Sequence, residues 1–300
     1  MKKNNPKLKI GIFGMGKWGK NLIREFSTMA EIVTCVTTGN NENIIWIKKN
    51  YHTIQFSTDI NDILDDDKII AVVIATPIST HYELAKKSLE AGKHVFIEKP
   101  FTKTVRQANE LIKIAKNKKL CLFVGHVFLH SEIFQQIKKI NKRESIKHMN
   151  FDWKKFGTFK EDIFENLLSH DLSINLELFD IPKQIKLINK SSWITNSDIV
   201  SIMLGYGKNK KSEIHINRIS NFKKKTITIF TKKNLYVWDD DKLFKLNKKT
   251  HSFNLYYRSK NTPLCLECKT FVSDVTNKKP QIDSAILAKK ITSLISEIKK

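Results

Sequence analysis

The feature that most constrains this chain is a glycine-spaced turn, Gly14-Met15-Gly16-Lys17-Trp18-Gly19. It follows an apolar run, Leu8 to Phe13. It opens a stretch of helical spacing, Lys17 to Met29, in which Trp18, Leu22, Ile23 and Phe26 share one face. A G-x-G-x-x-G triplet alone is a common accident, but between a buried strand and a helix it has a physical meaning. The first glycine permits a tight turn, the second lets backbone approach a diphosphate, and the third lets helix and strand pack closely. The helix amino end then offers unpaired N–H groups and the positive end of its dipole to the anion. Gly14, Gly16, Lys17, Trp18 and Gly19 are therefore candidates for holding a dinucleotide.

The next hundred residues repeat the alternation. Strand signals at Ile32 to Val36, Thr53 to Phe56, Ile69 to Ala75, His94 to Ile97 and Leu120 to Val124 are separated by helical ones at 42–50, from Asp59, at Ser79 to Ala91 and at Thr104 to Asn117. Strands alternating with helices predict a doubly wound parallel sheet, and the β-branched run at 69–75 predicts a strand buried on both faces. The pattern changes near residue 125. A helix near Ser131–Lys139, a strand at 145–153 and a helical stripe from Glu161 to Phe179 lead into short alternating stretches between Gln184 and Phe253. Two helices, about 264–277 and 282–299, close the chain. The expectation is an α/β protein of two domains: 1–125, binding the dinucleotide, and 126–300, an α/β domain with an open, mostly antiparallel sheet and carboxyl-terminal helices.

Composition removes other classes. No apolar run reaches the roughly 18 residues of a spanning helix, so no membrane partner is expected. The basic amino-terminal head lacks a small-residue cleavage site, so a signal peptide is not expected. The net charge of +23 is spread along the chain: 20 basic and 12 acidic residues precede residue 126, and 33 and 18 follow. Only five of the basic residues are arginines. Nucleic-acid readers rely on arginine forks or a concentrated basic face, so no nucleic-acid partner is expected. Cys265 and Cys268 have metal or redox spacing without a second pair nearby, so no metal is expected, and a reduced, cytoplasmic protein is the default.

At the end of the second strand, where an acid would bind the adenine ribose 2′-hydroxyl, stand Thr37 and Thr38. The missing carboxylate removes repulsion of a 2′-phosphate, and the hydroxyls can donate to one. This favours NADP over NAD.

The segment VVIATPISTHYELAKKSLEAGKHVFIEKPFT, residues 72–102, strongly resembles the Gfo/Idh/MocA family, named for glucose–fructose oxidoreductase and inositol dehydrogenase. The likeness runs from Lys9 to about Val124 and continues loosely beyond. It implies a Rossmann domain followed by a domain with an open sheet, NAD(P)-dependent oxidation or reduction of sugars or nucleotide sugars, and assembly as dimers or tetramers. By position, it implies that Thr76, Pro77 and His81 line the nicotinamide side and that Glu98 and Lys99 form the EKP motif, the lysine beside nicotinamide and substrate. His170 matches the histidine of a second-domain D-x-x-x-H motif, with Asn166 in place of the aspartate. His126, read from its place in the sequence, is a further candidate substrate contact, the alternative being a residue that only borders the expected domain junction. PLCLECKTF, 263–271, resembles the nucleotide-sugar 3-dehydrogenase branch. Ser173 replaces another aspartate common in relatives, and Leu129-His130 replaces an Arg-Phe pair.

The chemistry stands without the family. Oxidising a secondary alcohol sends a hydride to a nicotinamide and a proton to a base. A histidine titrates near working pH, and a lysine can stabilise a developing alkoxide. Lys99 and His170 are the candidate catalytic pair. The alternative is a degenerate sensor or scaffold of the same fold, motivated by Asn166, Ser173 and the lost arginine.

Overall fold

The computed structural model describes residues 7–39 and 41–300. The basic amino-terminal head and Asn40 lie outside the described residues. The chain forms two compact units. One runs to His126 and takes in Leu264–Thr292; the other comprises Val127–Pro263 and Ser293–Lys300.

The first unit is built on strands β1 (Lys9–Phe13), β2 (Glu31–Val36), β3 (Gln55–Ser57), β4 (Ala71–Ile74), β5 (His94–Glu98) and β6 (Leu122–Gly125). They form one parallel sheet in the order β3-β2-β1-β4-β5-β6. Its helices are α1 (Lys17–Met29), α2 (Asn41–Asn50), α3 (Asn61–Leu64), α4 (Ile78–Glu90) and α5 (Val105–Lys118). Alternating side chains feed two cores. Ile10, Ile12, Phe96 and Phe123 pack with Leu22, Ile23 and Phe26 of α1. Phe13, Val72, Ile74, Val95 and Val124 pack with Ala85 and Leu89 of α4 and Leu111 of α5. Full burial of strands on both faces is what their continuous apolar runs anticipate.

Residues 264–292 depart from the sequence expectation, which left them in the second domain. Helix α8 (Pro263–Thr276) inserts Cys268, Phe271 and Val275 into the α1-side core, where Phe271 meets Phe26, Phe96 and Phe123 at centroid distances of 6.1, 5.6 and 5.8 Å. Helix α9 (Asp283–Ile298) gives Ala285 and Ala288 to the other core, and Ser284 Oγ accepts from the Val124 amide. Apolar burial of those rings, about 1.5–3 kcal/mol each, draws the segment to this sheet.

The packing of α1 on β1 depends on Gly19. A Cβ there would collide with the Gly14 carbonyl oxygen and lie 3.0 Å from its carbon. Gly19→Ala is therefore expected to lose about 1–3 kcal/mol of stability, read as a lower thermal midpoint in calorimetry.

The second unit opens with a 3₁₀ turn, Val127–His130, and α6 (Glu132–Glu144). A π-type turn, Phe164–Leu168, leads into α7 (Ser169–Phe179). The eight strands are β7 (Ile146–Phe156), β8 (Gln184–Ser191), β9 (Ile199–Gly207), β10 (Lys210–Asn217), β11 (Ile219–Thr231), β12 (Leu235–Asp239), β13 (Lys242–Asn247) and β14 (Ser252–Arg258). Their order is β14-β13-β12-β11-β7-β10-β9-β8, antiparallel except for the β7–β10 pair. Met149, Phe151, Ile214, Ile216, Ile227 and Ile229 are buried, while β8 and β14 at the sheet margins are largely exposed. Among the described residues, no helix is long and apolar enough to cross a membrane.

Candidate functional site

The glycine turn sits at the carboxyl end of β1, beside the carboxyl ends of β4 and β5. Open α/β sheets bind ligands at that edge. Gly14 has φ +95°, and a Cβ on it would lie 2.8 Å from the Ala75 carbonyl oxygen, so only glycine passes β4 here. Its amide donates to the Val36 carbonyl at 2.8 Å. Gly16, the residue preceding α1, has ordinary extended backbone, and a Cβ on it would meet nothing within 4 Å. No side chain caps the α1 amino end and no acid lies in its first turn; Lys17 and Lys20 do. Free N–H groups, clear space and positive charge fit a dinucleotide diphosphate.

The loops after β4 and β5 are tied to each other and to α1. The His81 ring is buried, with Nδ1 2.8 Å from the Pro100 carbonyl and Nε2 2.8 Å from that of Thr76. Burial holds its pKa below the ordinary value, against those carbonyl hydrogen bonds. The sequence reading put His81 among the cofactor contacts. In the structure its ring is taken up by two carbonyls, and it works as a strut that sets Thr76 against the Lys99-Pro100 turn. Thr76 accepts a hydrogen bond from Thr80 Oγ1 at 2.7 Å, and Pro77 is exposed where α4 begins.

Lys99 follows β5 directly and is half-buried. Its amide donates to Glu98 Oε2 at 3.3 Å, and the Trp18 indole of α1 also donates to the Glu98 carboxylate. Gly14, Gly16, Trp18, Thr76, His81, Glu98 and Lys99 thus belong to one connected set of turns on a single sheet edge. At the neighbouring edge position, the Thr37 amide donates to the Ser57 carbonyl at 3.1 Å and Thr38 is exposed. His126 is buried just after β6. His94, read from sequence as a strand histidine satisfied by its neighbours, accepts from the Cys121 amide at 2.9 Å.

In the second unit, His170 opens α7 and packs edge-on to Phe128 at 5.1 Å and against Trp153 at 5.7 Å. Lys225 of β11 stands 3.8 Å from the centroids of those same two rings and pairs with Asp171 at 2.9 Å. Burial pushes the Asp171 carboxyl up and the Lys225 ammonium down, and their mutual attraction opposes both shifts. This cluster was missed in the sequence, where Lys225 is one of three consecutive lysines. The register shows why it is buried: Lys225 opposes Trp153 and shares the inner face with Ile227 and Ile229. Asn166 donates to Glu161, so its amide is engaged locally. Ser173 is buried and donates to the His170 carbonyl at 2.7 Å. Burial, then the Lys138 charge, pushes the His130 pKa down to about 4, so His130 adds no cation beside Leu129 at neutral pH. Among the described residues, no cluster of three or more His, Cys, Asp or Glu could hold a metal.

The glycine turn, the parallel sheet and the EKP turn define a dinucleotide-binding domain of the Rossmann type. Residues 8–126 match the Gfo/Idh/MocA family, described as "Oxidoreductase family, NAD-binding Rossmann fold". By that domain, residues 8–126, the chain is similar to the Gfo/Idh/MocA oxidoreductases. It is 25% identical over 225 residues to the scyllo-inositol 2-dehydrogenase (NADP(+)) IolW of Bacillus subtilis, covering 67% of this chain and 60% of that protein. It is 47% identical over 70 residues to the uncharacterized oxidoreductase YhhX of Escherichia coli, covering 23% of this chain and 20% of that one. The chain thus spans between 20% and 60% of the length of the first curated relatives it matches. Over nearly its whole length it has the fold of the UDP-N-acetylglucosamine 3-dehydrogenase GnnA of Acidithiobacillus ferrooxidans, with a TM-score of 0.87 at 18% identity, covering 97% of this chain and 96% of that one.

Proposed function

We propose that the protein is an NAD(P)-dependent oxidoreductase moving a hydride between a nicotinamide and a secondary hydroxyl or ketone of a sugar, polyol or nucleotide sugar, working in the cytoplasm. The observation that carries this reading is the joining of the glycine cradle to the Lys99 turn through Trp18 and Glu98 on one sheet edge. The names of two relatives, an inositol dehydrogenase and a nucleotide-sugar dehydrogenase, support the substrate class. Bound, the nicotinamide supplies the hydride acceptor or donor.

The chain's own residues do the rest. The Gly16 backbone and the α1 amino end hold the diphosphate. The Lys99 ammonium donates to the reacting oxygen and stabilises its developing negative charge. His170 is the proposed group that takes up or returns the proton, its ring packed against Phe128 and Trp153 within the second unit. Assembly as a dimer or tetramer belongs to this reading, supported by exposed Leu187, Ile188, Phe253 and Leu255 on the marginal strands.

The test is a panel of polyols, sugars and nucleotide sugars assayed by nicotinamide absorbance with both cofactors. Turnover with at least one member is expected, and none with any would contradict the reading. A preference for NADP is proposed from Thr37 and Thr38. Thr38→Asp places a carboxylate where the 2′-phosphate would lie, so NADP affinity should fall by roughly 10-fold or more, about 1.4 kcal/mol, with NAD affinity kept. Equal losses for both cofactors in fluorescence titrations would refute that placement.

A further inference from the structure

Behind the Lys99 turn, the first unit buries two carboxyl groups. Glu98 ends β5 and Glu267 lies on α8, one turn before Phe271. Glu267 is fully buried and neither of its oxygens has a hydrogen-bond partner. Glu98 spends Oε2 on the Lys99 amide, while its Oε1 is buried and unpartnered. The space for the Glu98 carboxyl exists because the residue opposite on β6 is Gly125, where a Cβ would come within 3.2 Å of Oε1. Phe96, two residues before Glu98 on the same side of β5, meets Phe271, one turn after Glu267 on α8, at 5.6 Å, which sets the two acids on facing stretches of strand and helix. Two ionised carboxylates with orphaned oxygens in a buried site repel each other and lack solvation. One proton between them removes both defects, turning two orphaned acceptors into a donor and an acceptor.

We propose that Glu98 and Glu267 share a single proton at neutral pH, and that Glu267 is a positioning residue whose carboxyl O–H donates to Glu98. Glu98 is thereby held for the Lys99 amide and the Trp18 indole, and so braces both the EKP turn and the start of α1. The physical trend agrees. Burial pushes Glu98 up to about 7 against the Trp18 hydrogen bond and the Lys99 charge. Burial, then the Glu98 charge, pushes Glu267 well above the usual carboxylate range. The other titratable groups acting here are Lys99 of the turn, the Cys268 thiol of α8, and, further off, Cys265 with Glu25 of α1. Both thiols are raised by burial and stay neutral.

A raised carboxyl keeps a proton that the unfolded chain releases near pH ~4.3. The folded state binds more protons above that point, so the pair makes stability fall as pH rises through about 7. That linkage needs no enzymatic activity. The catalytic consequence, loss of Lys99 bracing at alkaline pH, rests on the proposed function.

The test is infrared titration of the full-length protein for a protonated-carboxyl carbonyl band, with thermal midpoints measured across the same pH series, in wild type and Glu267→Gln. The amide keeps a donor for Glu98. The wild type is expected to show the band near neutral pH, and Glu267→Gln to lose it, with a flatter fall of midpoint with pH and a flatter alkaline limb of kcat. No band in wild type, or a band and pH slope unchanged in Glu267→Gln, overturns the proposal. Should Glu267→Gln not fold, Asp171→Asn decides, Asp171 being another buried carboxyl with a raised pKa. A band retained in Asp171→Asn supports the shared proton, and a band lost there overturns it. Neither the band nor the midpoints depend on turnover, so an absence of oxidoreductase activity would leave this result readable.

Discussion

Lys99→Ala is expected to lower kcat by roughly 10²–10⁴-fold while dinucleotide affinity stays within a few-fold of wild type. The lysine follows β5 at the sheet edge that carries the glycine cradle, and its backbone is fixed by Glu98. Removing the side chain takes away the ammonium that would meet a developing alkoxide and leaves the diphosphate cradle untouched. The side chain is half-buried on a turn, so the thermal midpoint should move little. A variant that turns over at the wild-type rate would remove Lys99 from the mechanism. A parallel loss of cofactor affinity would make it a binding residue.

The second large effect is at Gly16. Its backbone is extended, with φ −66° and ψ −175°, and the space over its α-carbon is open. Gly16→Val should therefore fold and melt like wild type. Yet the new methyl groups occupy the ground the diphosphate needs, and dinucleotide affinity should fall by ~100-fold, about 2.7 kcal/mol. The contrast with Gly19 is the diagnostic point. One glycine of the motif is required by the protein's own packing, and the other is proposed to be required by a ligand. Calorimetry for stability and fluorescence titration for binding separate them. Loss of stability in Gly16→Val without loss of binding would invert the assignment.

The doubly wound sheet was legible because its signals are local. Ile10 and Ile12 against Phe13, and Ala71 and Val73 against Val72 and Ile74, are periodic patterns that need no partner to be read. The cradle was legible for the same reason, since spacing along six residues dictates its geometry. What the sequence concealed depends on distant pairing. The apolar stripe of α8 shows that Phe271 is buried, but not which sheet buries it. Lys225 reads as part of a solvated run, and only the β7–β11 register turns it inward against Trp153. Glu267 sits between two cysteines that drew attention to themselves, and its partner lies on a strand far earlier in the chain. His81 was legible as a residue of the site but not in its part. The buried ring, with both nitrogens against carbonyls, ties Thr76 to the Lys99-Pro100 turn, and that part depends on a contact across 19 residues.

The account's central claim is that the turn after β1 holds a dinucleotide diphosphate with the nicotinamide beside Lys99. A crystal structure of the protein grown with NADP, and a second with NAD, tests it most directly. The claim predicts the diphosphate against the Gly16 amide at the start of α1 and the nicotinamide ring within reach of the Lys99 ammonium. A dinucleotide bound elsewhere, or with its nicotinamide directed away from the Lys99 turn, would contradict it.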